Sequence, residues 1–85
     1  MELANINIYI QTLLVENLNF TNEGLTNNEK LIRFANDVMR DDFLKLIIDV
    51  QCTADEKAIE NPAGYFIGAV KKELKRRGFS KGEII

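Results

Sequence analysis

The chain has 85 residues, 46% of them hydrophobic and 28% charged, with eleven basic and thirteen acidic side chains and a net charge of −2. These proportions describe one ordinary globular domain over residues 1–85 and exclude a disordered or fibrous chain. The absence of histidine and the single cysteine, Cys52, exclude the usual zinc sites, the Ser-His and Cys-His nucleophile pairs and any intrachain disulfide. Cys52 itself reads as a small, semi-buried hydrophobe. No uncharged apolar run approaches the length of a spanning helix, and the opening MELANINIYI lacks the basic residues that begin a signal peptide. A cytoplasmic protein with no membrane partner is therefore expected.

Residues 2–16, ELANINIYIQTLLVE, carry two periods at once. Ile6, Ile8 and Ile10 alternate as in a strand, whereas Ile6, Ile10, Leu13 and Leu14 fall at helical spacing. The length of the segment and the lack of a partner strand favour a helix near 3–16. Residues 17–25, NLNFTNEGL, read as a loop with Phe20 and Leu25 tucked against the core. Thr26-Asn27-Asn28-Glu29 matches a capping box and predicts a helix near 27–40, with Leu31, Phe34, Ala35 and Val38 on its apolar face. After Arg40-Asp41-Asp42, residues 43–50 have little polar surface and predict a central helix near 42–52; a buried strand is the competing reading. Thr53-Ala54-Asp55-Glu56 repeats the capping pattern and predicts a short turn of helix at 54–59.

The stretch 60-ENPAGYFIGAVKKELKRRGF-79 has the best-marked boundaries. Asn61 is a good N-cap, Pro62 suits the first helical position, and Gly78 followed by Phe79 predicts a Schellman ending on Leu74. Between them Ala63, Phe66, Ile67, Val70 and Leu74 form one apolar face of a helix near 62–77. Gly64 and Gly68 lack the continuation of a phosphate-binding loop. They read either as a stripe for close helix packing inside the domain or, with Tyr65, as a docking surface for a partner helix.

Charge is polarised along the chain. Residues 1–70 hold five basic and eleven acidic side chains, a net of −6, and residues 71–85 hold six basic and two acidic, a net of +4. Lys71, Lys72, Lys75, Arg76, Arg77 and Lys81 form a candidate surface for the phosphate backbone of DNA or RNA. The competing reading is a solvated helix end, since cations near a C-terminus complement the helix dipole. Of the remaining chemistry, the adjacent acids Asp41-Asp42 and Asp55-Glu56 point about 100° apart on a helix and make no catalytic pair. A non-enzymatic protein without cofactor or metal is expected.

The segment 61-NPAGYFIGAVKKEL-74 resembles a late-helix segment of plasmid and phage replication proteins of Gram-positive bacteria, including initiators and DnaD-like helicase-loading factors. Asn61, Pro62, Gly64 and Tyr65 match that pattern, and Phe66 stands where an aliphatic residue is usual. The resemblance covers about a sixth of the chain and implies a small accessory of a mobile element's DNA replication, with a structural role for the matching residues. The chain is shorter than an initiator with separate origin-binding and oligomerisation domains, so an accessory subunit or inhibitor fits best.

The fold expected is an all-α bundle of four main helices, with a winged-helix-like α+β arrangement using residues 4–12 as a strand as the alternative. Its core is expected to hold Ile6, Ile10, Leu13, Leu14, Leu31, Phe34, Ala35, Val38, Phe43, Ile47, Phe66, Ile67, Val70, Leu74 and Phe79. Two functions follow. One is nucleic-acid contact through the basic helix end. The other is docking on a larger replication or regulatory protein, or on a second copy of the chain, by an apolar face that includes Leu44, Leu46 and Ile48.

Overall fold

A computed structural model of the chain describes residues 6–79. These residues form α1 (Ile8–Leu18), α2 (Asn22–Asn27), α3 (Glu29–Met39), α4 (Asp41–Lys57) and α5 (Pro62–Arg76). No strand occurs among the described residues. The fold is an all-α bundle, with five helices where four main ones were expected, and the winged-helix alternative falls at α1. There the Asn7 side chain accepts from the Tyr9 N–H at 2.8 Å and starts a helix through the residues that alternate like a strand. Residues 3–5 of the expected first helix and 4–5 of the alternative strand lie outside the described residues. Burial settles the competing periods, because Ile10, Leu14 and Leu18, four apart, face the core while Ile8 and Tyr9 face solvent.

The expected loop at 17–25 holds the end of α1 and the start of a helix. Asn19 takes the left-handed conformation that stops α1, and Thr21 Oγ1 then accepts from the Gly24 N–H at 2.9 Å to cap α2. Phe20 and Leu25 are buried, as expected. No helix starts at Thr26. Because Thr21 has already begun a helix, Thr26 lies inside it and its hydroxyl donates back to the Asn22 carbonyl. α3 starts after Asn28, whose side chain donates to the Gly24 carbonyl instead of capping. The core-facing side of α3 is also rotated from the expected one: Ile32 and Met39 join Leu31 and Ala35 inside, and Phe34 and Val38 are half-buried at its edge.

A single residue, Arg40, separates α3 from α4. α4 is central, as expected, and packs on α1, α3 and α5. It runs 17 residues, past the second expected capping box, because Phe43, Ile47, Val50 and Ala54 continue one buried face straight through Thr53. The helix stops at Ala58, which is left-handed, with the Ile59 N–H returning to the Ala54 carbonyl at 3.0 Å. Cys52 is exposed on α4 rather than semi-buried.

Phe66 of α5 sits at the centre of the core. Its ring meets Phe43 edge-on at 5.6 Å and Phe20 edge-on at 6.0 Å, geometry that favours aromatic pairs. Phe79 meets Phe34 edge-on at 5.2 Å on the rim. Leu13, Phe34, Val38, Ile67 and Phe79 therefore flank the core instead of filling it, and Leu18, Ile32, Met39, Val50 and Ala54 are buried beyond the expected set.

Candidate nucleic-acid interface

α5 begins and ends as its residues dictate. Asn61 Oδ1 accepts from the Gly64 N–H at 3.1 Å, and Pro62 fills the first turn where no N–H is needed. At the other end Gly78, at φ 97°, donates to the Lys75 carbonyl, and Phe79 donates to the Leu74 carbonyl at 3.0 Å. These two bonds are the Schellman pair expected. Phe66, Val70 and Leu74 anchor the inner face at full burial. The opposite face is thereby held outward along the whole helix.

The basic cluster divides in two on this frame. Arg76 and Arg77 both donate to Glu73, and Arg77 Nη2 also reaches Asp42 Oδ2 of α4 at 2.8 Å. Their hydrogen bonds, Arg76 first and Arg77 second, pull the Glu73 carboxyl from its ordinary 4.5 down to about 2. Arg77 thus ties the C-terminal end of α5 to the first turn of α4, and Arg76 closes on Glu73 within α5. Lys71, Lys72 and Lys75 are exposed and make no ion pair among the described residues. Lys81 lies outside the described residues.

The two glycines also part company. A Cβ on Gly64 would come within 2.6 Å of the Asn61 side chain, so glycine at this position leaves room for the cap. A Cβ on Gly68 would meet nothing within 4 Å. Close helix packing inside the domain, one of the expected roles, is therefore absent at both. Gly68 is left with the usual cost of a mid-helix glycine, about 1 kcal/mol relative to alanine, and no packing gain. Tyr65 is 45% exposed beside it. Tyr65, Gly68, Lys72 and Lys75 are three, four and three residues apart, so they follow one line along α5, about 15 Å long at the helical rise.

The apolar docking face expected on α4 is not one patch. Leu44 and Leu46 are half-buried and pack against the core, and Ile48 alone is 57% exposed. Two further exposed residues, Ile8 and Tyr9, stand at the start of α1, and Ile8, a member of the strand-like alternation, already fell outside the helical period of the buried set. Among the described residues no group of three or more His, Cys, Asp or Glu side chains is placed to hold a metal ion, and no helix is long and apolar enough to cross a membrane. No protein-family model, curated protein or solved structure matches the chain.

Proposed function

We propose that the chain is a non-enzymatic, cytoplasmic accessory of mobile-element DNA replication that holds nucleic-acid phosphates on the outer face of α5. The observation carrying this reading is the division of the basic cluster. Lys71, Lys72 and Lys75 face solvent with no acidic partner among the described residues, while the neighbouring arginines are tied to Glu73 and Asp42. A merely solvated helix end in an acidic protein would spread its acids over lysines and arginines alike; here the acids leave three adjacent cations free. The likeness of residues 61–74 to replication proteins supplies the biological setting.

Binding held by phosphates weakens with salt, and each lost contact lowers the slope of log K against log salt by about one. Lys72→Ala and Lys75→Ala should each do so, measured by fluorescence anisotropy over a salt series. Arg77→Ala should lower stability and leave the slope nearly unchanged. If Lys71, Lys72 and Lys75 can all be replaced by alanine without effect on binding, phosphates are not what this face holds.

The exposure of Ile48, Ile8 and Tyr9 favours a second reading, docking on a larger replication protein or on a second copy of the chain. Affinity capture with and without nuclease separates the two, because partners that survive nuclease are held by protein contacts. Sedimentation of the pure chain tests the second copy.

A further inference from the structure

Gly68 is the residue of α5 that the fold does not explain. It stands in mid-helix with open space where a side chain would be, and no neighbouring element uses the opening. A local rule broken without a packing gain points to function, and a glycine lets a foreign chain come close to the helix backbone. Its neighbours on the exposed line identify that chain. Toward the N-terminus stands Tyr65, 45% exposed, with a hydroxyl that has no hydrogen-bond partner among the described residues. Toward the C-terminus stand the unpaired Lys72 and Lys75.

We infer that this line is a platform for single-stranded nucleic acid, in which a base stacks on Tyr65, the sugar-phosphate backbone passes over Gly68, and the following phosphates meet Lys72 and Lys75. The inference rests on the phosphate-binding reading and adds the form of the ligand. An aromatic face followed by a run of cations is the arrangement with which proteins hold unpaired strands without reading sequence. A duplex keeps its bases stacked on each other and offers Tyr65 nothing to cover. It also has a broad footprint, and beyond the lysines the cations Arg76, Arg77 and Lys45 are already paired with Glu73 and Asp42, so their charge is not free for a second strand. A single strand is narrow enough to follow the line alone.

The test is fluorescence anisotropy at low salt with labelled oligothymidylate and with a hairpin duplex of the same length. The single strand should bind more tightly than the duplex. Tyr65→Ala should weaken single-strand binding by about 5- to 100-fold without altering the salt slope, and Tyr65→Phe should restore it. Gly68→Leu should fold at least as stably as the native chain and yet bind more weakly, which separates a lost surface from a lost fold. In a Tyr9→Phe background the tyrosine emission comes from Tyr65 alone and should be quenched on binding. Equal or tighter duplex binding, or a silent Tyr65→Ala, with the lysine effects intact, overturns the platform and leaves the phosphate reading standing. No binding of either probe overturns both and leaves the protein-docking reading.

Discussion

Among the described residues, Asn19, Arg40 and Ala58 hold positive φ without being glycine, at 58°, 51° and 50°. Asn19 tolerates this region because its short polar side chain suits it. Ala58 ends α4 in the position where glycine is usual, and its Cβ makes that conformation unfavourable. Arg40 is more strained, since φ 51° with ψ −118° is the first central position of a type II′ turn, where glycine is preferred. Its side chain is exposed and makes no ion pair among the described residues, so nothing in the side chain compensates. Arg40→Gly and Ala58→Gly should therefore each stabilise the protein by about 1 kcal/mol, the relief of strain exceeding the extra freedom of glycine in the unfolded chain. Urea unfolding measures this directly. A variant no more stable than the native chain would mean that the corner or helix stop is relaxed as it stands. Arg40 also shows why the α3–α4 corner was hard to read, because arginine carries no signal for a one-residue turn.

Arg77 reaches from the last helix to Asp42 of the fourth, and Glu73, on the same helix as Arg77, closes a pH-dependent clasp on Arg76 and Arg77. Glu73 carries a folded pKa of about 2 against an ordinary 4.5, drawn down by Arg76 and then Arg77. The clasp contributes its full stability above about pH 4.5 and loses it as the pH falls toward 2, when the folded protein must also take up the proton. Glu73→Gln should accordingly be less stable than the native chain at neutral pH, and the gap should close on acidification over that window. Urea midpoints taken across the pH range give the comparison, and a gap that persists undiminished at pH 2 would assign the effect of Glu73 to packing. The two ends of α5 were legible in the sequence because Asn61, Pro62 and Gly78 act on their own neighbours. The start of α3 was not, since a threonine before a helix and a threonine within one look alike until Thr21 is known to cap first. Position on the wet face of α5 marked its lysines and arginines equally as a candidate site. Glu73, three and four residues before them, pairs Arg76 and Arg77 at a spacing visible in the sequence, but the second bond of Arg77 runs to Asp42, 35 residues away, and local pattern does not carry that pairing. Gly64 and Gly68 likewise look equivalent in sequence and differ only through the Asn61 side chain.

One ring holds the bundle together. Phe66 is fully buried and touches, edge-on, both Phe43 at the start of α4 and Phe20 between α1 and α2, so it joins three parts of the chain that are distant in sequence. For a domain of this size total stability is on the order of 4–13 kcal/mol, and Phe→Ala in a packed interior costs about 3–5 kcal/mol. Phe66→Ala should consequently remove a large share of the stability, enough to leave part of the population unfolded at 25 °C. Phe79→Ala, at the half-buried rim where only the Phe34 ring stacks edge-on against it, should cost much less. The same core position has a consequence for the outer face. Phe66 and Tyr65 are adjacent in sequence and project about 100° apart around α5, which carries one into the core and leaves the other in solvent. Phe66→Leu, which keeps most of the apolar volume, should lower the melting temperature while α5 stays helical and Tyr65, Lys72 and Lys75 keep their line. Circular dichroism and anisotropy on the same samples give both answers. Nucleic-acid affinity should hold below the melting temperature even as that temperature falls. A loss of affinity in fully folded Phe66→Leu would instead mean that the platform depends on the exact seating of α5 on the core, not on its exposed residues alone.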